Sequence, residues 1–500
     1  MYFDASSPTS PSVPGSAYGG SRFALSARAA LVLSAALAAG AFVGSAIVSA
    51  SLLVVFFLIG SVVVLLIAGR PVWALSLLVV LMPFNGTDPF RVNLAGFPGT
   101  KLLNLLTVMV LFVSAVNWKK GTKLPTYATG LIFAWTAVFS VAVFRSLANL
   151  ETLNYYLVEP LSPSEHILTH LVKPLVYFLP LVVIARFVKT RKDIDFLTTA
   201  LTLAVGAMGA LVLYVYFFLA GPGAEAKVIN DNYMSTLGLH RNELVTFPII
   251  GIPIILARWF RKRDTLSAVC FVLGIASVGT LLSRTGYLAV PIGVVGYLAL
   301  SKRVRYLPLI TAAIAVVTFF AWSQIAERLN YRLESGDRNA VSAGRIDTLW
   351  IPLLEEAAAD PEKLFLGNGR FATGASQMAE RGAILEVRHP HNMFVELLLD
   401  AGVVGFTILI SFLLVVLWKL KQSLQISTDP AMTEHLRGVL VALGSYLVAG
   451  LTGRSLFPQA GNGFFWIVLG LAIALIGLVV AERRTSPEPE AHKPGSLGAR

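Results

Sequence analysis

The sequence predicts an all-α, polytopic transmembrane helical bundle of about fourteen spans, and three observations predict it. Of 500 residues, 56% are hydrophobic and 14% are charged, against roughly 45–50% and about 25% in soluble domains, so water is not the main solvent of this chain. Apolar runs long enough to cross ~30 Å of hydrocarbon at about 1.5 Å per residue recur along nearly the whole sequence. Basic residues gather at the ends of alternate runs, which accounts for the formal net charge of +12 as a topology signal and argues against nucleic acid as a partner.

In chain order, residues 1–26 are a Ser-, Pro- and Gly-rich tail, read as disordered and cytoplasmic, without the basic start of a cleavable signal. Spans are expected at 27–48, 51–69, 71–84, 101–118, 128–146, 168–189, 196–220, 244–259, 265–282, 285–301 and 305–323, which make up a first membrane part, 27–323. The run 71–84 is short for a full crossing, and the first two spans lie close enough to form a re-entrant pair, so twelve is the lower count. A polar segment, 324–391, follows as a long periplasmic loop between the eleventh and twelfth spans, with helix-like stretches such as Asp347 to Ala359. Loops of that length are functional or disordered. Spans at 392–419, 433–452 and 462–481 complete the membrane domain over 392–481, and residues 482–500 form a second disordered cytoplasmic tail.

Charge placement tests this order, because a missed span would reverse the sidedness of every later loop. Arg70, Lys119, Lys120, Arg186, Lys189, Arg258, Arg261, Lys302, Arg303, Lys419, Arg483 and Arg484 all lie at or just after the ends of even-numbered spans, which puts both termini in the cytoplasm. Cys270 is the only cysteine and lies inside an apolar run, so no intramolecular disulfide braces the loops.

With this topology, unusual polar residues collect at the outer face: Arg145, His166, His170, Lys173, His240, Arg241, Arg284, Arg345, Arg388, His389, His391 and Arg454. Ionisable groups at membrane depth face a cavity, a partner or an ion path, and others snorkel to the interface. Arg284 sits where the ninth and tenth spans leave almost no loop, and its planar guanidinium suits a phosphate or a carboxylate. His391 is expected at the amino end of the twelfth span with Pro390 in the first helical turn, where the helix dipole favours a neutral imidazole able to act as a base. Gly402, with Ala401 and Gly405, reads as a close helix-packing face. Glu396 and Asp400, inside the same span, are expected to pair with arginines or face the cavity.

No metal or cofactor is expected. His166 and His170, with Glu165 adjacent, have i, i+4 spacing but no convincing further ligand, and Asp193-Ile-Asp195 reads as a solvated charge cluster beside Arg191 and Lys192. The long loop carries eight Lys and Arg against ten Asp and Glu, so any anion site there depends on particular arginines rather than on net charge.

Four motifs stand in one order: Ser283-Arg284-Thr-Gly, Gly344-Arg345-Ile-Asp-Thr-Leu349-Trp350, Leu366-Gly367-Asn-Gly369, and His391-Asn392 leading to Ala401-Gly402 and Gly405. Over about residues 270–410 they resemble the O-antigen ligase and polymerase superfamily, with Arg345 and Leu349 similar to the ligase Arg-x3-Leu pattern and His391 and Gly402 similar to its His-x10-Gly pattern. The resemblance implies metal-independent transfer of a glycan from undecaprenyl diphosphate to an acceptor hydroxyl at the periplasmic face of a bacterial inner membrane. It implies that Arg284 and Arg345 hold the diphosphate, that Arg241 and Arg388 add phosphate contacts, and that His391 deprotonates the acceptor. A ligase would use lipid A core as acceptor; a polysaccharide polymerase, the alternative, would use another lipid-linked glycan. A secondary transporter or flippase would also have many spans, but it would be expected to show internal repeats, and none is clear.

Overall fold

The computed structural model describes residues 70–91, 101–155, 160–221, 223–308, 310–312, 345–381, 389–453 and 455–485. The spans expected at 27–48 and 51–69, most of 305–323, both terminal tails apart from the last helical residues, and Arg388 and Arg454 lie outside the described residues.

Every element among the described residues is helical. The main ones are α1 (Pro71–Leu81), α2 (Leu102–Val116), α3 (Thr126–Ser146), α4 (Lys173–Phe187), α5 (Arg191–Tyr214), α6 (Ala226–Leu237), α7 (Thr246–Lys262), α8 (Thr265–Thr280), α9 (Arg284–Leu300), α10 (Ile351–Ala358), α11 (Pro361–Leu366), α12 (Met393–Ile426), α13 (Pro430–Ala449) and α14 (Gly463–Thr485). Among the described residues, seven helical stretches are long and apolar enough to cross a membrane, and four shorter apolar helices accompany them. The chain is a multi-pass helical membrane protein.

Local chemistry sets the helix ends. Thr190 and Asp193 form a capping box at the start of α5, Asp264 caps α8, and Asp429 caps α13 ahead of Pro430 at its first position. The centre of the bundle is α7, buried almost all round, with α5, α8, α9 and α13 packed against it; α14, also mostly buried, packs against α4, α12 and α13. Small residues let these backbones approach: a Cβ at Gly470 in α14 would sit 2.6 Å from the Leu181 carbonyl oxygen of α4, and one at Gly438 in α13 would sit 2.7 Å from the Ala257 Cβ of α7.

Helices α5, α7, α9 and α13 share one end that is rich in ion pairs. Arg258 meets Asp264 at 2.6 Å, Arg303 meets Glu434 at 2.7 Å, and Asp195 receives Lys262 at 3.2 Å together with Arg261 and His435. Asp193 and Asp195 therefore do not form the solvated cluster expected from sequence. Asp193 serves as a helix cap and Asp195 ties α5 to α7 and α13, because charges at this crowded junction are more stable paired than hydrated singly.

Candidate functional site

The opposite ends of α7, α9 and α13 converge with residues 345–381 and 389–391. Between α8 and α9 the chain turns within Leu281–Ser283, with Leu282 at a φ of +50°. Ser283 donates a hydrogen bond to Asn242 Oδ1 at 3.0 Å, and the hydroxyls of Thr285 and Thr452 lie 2.7 Å apart. These two bonds fix the start of α9, and with it the half-buried Arg284, between the His240–Asn242 turn and the end of α13.

Arg345 opens a wide π-turn, Ile346–Trp350, that runs into α10. At the far end of that turn the Trp350 indole Nε1 donates to the Pro390 carbonyl at 2.7 Å. His391 follows Pro390 with a φ of +55°, a left-handed conformation uncommon for a residue with a side chain. Its ring lies edge-on to His389, with centroids 4.1 Å apart, and faces Gly453, where an added Cβ would stand 3.7 Å from the His391 Nδ1.

Pro390 is thus not in the first helical turn. Asn392 is the cap, accepting from the backbone amides of Phe394 and Val395 at 2.9 and 3.3 Å, so α12 starts at Met393 and leaves the Pro390 carbonyl for Trp350. Gly402 also differs from its expected role. It breaks the helical backbone of α12 at a φ of +65° and lies under the Phe365–Gly367 backbone, where a Cβ would be 2.3 Å from the Phe365 oxygen. Gly405 does pack a neighbouring helix, against Val138 of α3.

The electrostatics fit a base beside an anion site. Burial, followed by electrostatic coupling to His389, Arg345 and His240, pushes the His391 pKa down to about 3, so the imidazole is neutral at pH 7. Burial is the first cause here, ahead of any helix dipole. The Arg345 pKa is lowered by burial and then by the nearby Arg284 guanidinium, which marks the two as neighbouring like charges. Two half-buried guanidinium groups side by side suit a ligand carrying more than one negative charge.

Arg284, Arg345 and His391 are therefore brought together, and Arg241 is not. The Arg241 guanidinium turns toward α6, with Nη1 3.5 Å from the Ala226 carbonyl oxygen, while the adjacent His240 faces His391 and accepts the Asn242 amide on Nδ1 at 3.1 Å.

Arg370 has a place that sequence reasoning missed. It is buried and donates to both Glu396 and Asp400 at 2.6 Å, its backbone amide donates to the Ala142 oxygen at 2.7 Å, and its guanidinium lies 4.3 Å from the Phe371 and Phe457 ring centres. Two carboxylates one turn apart in an apolar span signal a buried cation, but nothing local indicates which one. Arg145 joins the same fastening, binding the Gly367 oxygen at 3.0 Å and Glu362 at 2.9 Å. His166 bonds Ser146 at 2.7 Å and His170 packs on Phe371, so these two histidines support the loop.

Residues 268–410 match the O-antigen ligase family. Over that segment the chain is similar to the O-antigen ligase and polymerase superfamily. No curated protein matches it. The matched segment contains Arg284, Arg345, Arg370, His391 and Gly402, and members of the matched family are glycosyltransferase-like membrane enzymes.

Proposed function

We propose that this protein is an O-antigen ligase that moves a glycan from undecaprenyl diphosphate to a hydroxyl of lipid A core at the periplasmic face of the inner membrane. The observation that carries the reading is the pair of neighbouring guanidinium groups, Arg284 and Arg345, beside a neutral His391. The ion-paired, basic end of the bundle is then cytoplasmic, as the positive-inside rule requires, and the site end is periplasmic.

In the reaction, the acceptor oxygen attacks the sugar C1 while His391 takes the hydroxyl proton. The bond from C1 to the diphosphate oxygen breaks, and polyprenyl diphosphate leaves carrying the electron pair. Arg284 and Arg345 stabilise the charge that grows on that oxygen, an effect strengthened where water is scarce. Arg388 and Arg241 are candidates for further phosphate contacts, with Arg241 requiring a rotation away from α6.

The test is transfer in proteoliposomes supplied with a purified polyprenyl-diphosphate-linked glycan and lipid A core. The expected product is glycan on lipid A core, made by the wild-type protein and lost in Arg284→Ala, Arg345→Ala and His391→Ala. Elongated lipid-linked glycan formed without lipid A core would replace the ligase reading with a polymerase. Normal transfer by all three variants, with solute movement across the liposome abolished, would replace it with a transporter.

A further inference from the structure

We infer that Trp350 is a positioning residue for this transfer, fixing His391 relative to Arg345 through the Pro390 carbonyl; the inference rests on the function proposed above. A non-glycine residue in the left-handed region persists only where its surroundings over-determine it, and His391, at a φ of +55°, needs such a frame. One side of the frame is the cap: the Asn392 side chain holds two amides of α12, which fixes the backbone after His391. The other side is the peptide unit between Pro390 and His391. Its carbonyl accepts the Trp350 Nε1 hydrogen at 2.7 Å, which sets the plane from which the His391 side chain projects.

Trp350 is itself well anchored. It packs on a small apolar cluster of Leu349, Leu353, Ala372, Ala379 and Leu399, and Leu399 belongs to α12. The indole is thus tied to the same helix that His391 precedes. Arg345 begins the π-turn that Trp350 ends, so one turn of backbone carries a candidate phosphate ligand at one end and the fastener of the candidate base at the other. That bond ties the end of the Arg345 turn to the peptide unit that precedes His391. Packing alone would need only the ring; positioning needs the N–H.

Trp350→Phe keeps an aromatic ring and removes the donor. In the proteoliposome assay its kcat should fall at least about ten-fold, since small misplacements of a catalytic group carry losses of that order, while the donor KM and the thermal unfolding midpoint stay near wild type. A kcat within two-fold of wild type overturns the inference. So does a variant that unfolds more readily yet turns over normally per folded molecule. A double-mutant cycle adds a readout that packing would not move: in the His391→Ala background, Trp350→Phe should change the residual rate little, because the residue it positions is gone. Full multiplication of the two losses overturns the inference as well. If the wild-type protein transfers no glycan, the functional reading fails, whereas wild-type activity with an unaffected Trp350→Phe removes only the positioning role.

Discussion

The two ends of α7, α9 and α13 use arginine in opposite ways. At one end Arg258, Arg261 and Arg303 each lie against a carboxylate, from Asp264, Asp195 and Glu434 respectively. At the other, Arg345 is half buried and feels the charge of Arg284, and among the described residues no carboxylate pairs with it. Paired charges at a helix junction hold elements in register. Like charges held together raise the energy of the empty site and lower it again when an anion enters. The same residue type is structural in the first setting and, in the function proposed, a ligand in the second.

Arg370 gives the sharpest way to break that comparison, because it stands near the site yet is paired as at the opposite end. Arg370→Met leaves Glu396 and Asp400 buried without their cation and should destabilise the protein by about 3–5 kcal/mol, read as a lower unfolding midpoint in detergent. Adding Glu396→Gln and Asp400→Asn should recover much of the loss. If Arg370→Met unfolds no more easily than wild type while transfer disappears, Arg370 belongs with the site.

Arg345→Ala should do the reverse. It removes half of the like-charged pair, so the unfolding midpoint should hold or rise, while glycan transfer falls by about 10²–10³-fold. A smaller effect is expected at the far end. Glu434→Gln strips the counter-charge from Arg303 and Arg437 and should destabilise by about 1–3 kcal/mol, with transfer per folded molecule unchanged. Reduced turnover in that variant would show the two ends to be coupled.

Much of this architecture is legible in the sequence because the bilayer imposes a long period. The apolar runs at 101–118, 128–146 and 265–282 appear as α2, α3 and α8, and the helix-like stretch in the long loop appears as the π-turn and α10. Arg284, Arg345 and His391 also stand in the sequence within motifs of one order. What sequence did not disclose is which distant charges meet. Arg370 and Asp400 are thirty residues apart and joined only by tertiary packing, and the kink at Gly402 exists because a loop backbone presses on the helix there. Local pattern also misplaced the start of α12, since Pro390 resembles a first-turn proline until the Asn392 cap and the Trp350 bond are seen.

The smallest predicted effect concerns pH, and it tests whether the cationic surroundings reach His391. Its pKa is pushed down to about 3, first by burial and then by His389, Arg345 and His240. The imidazole therefore stays neutral as pH falls from 8 to 5, and kcat/KM, which reports the free enzyme, should be nearly flat over that range. A histidine of ordinary pKa near 6.5 would instead lose about thirty-fold by pH 5. Bound diphosphate is negative and favours imidazolium, so the acid limb of kcat should lie at higher pH than that of kcat/KM. Arg345→Gln removes one positive neighbour and should move the kcat/KM limb upward in the same direction. A limb near 6.5 in the wild-type protein, unmoved by Arg345→Gln, would separate the base from the arginine pair and undo the electrostatic side of the comparison between the two ends.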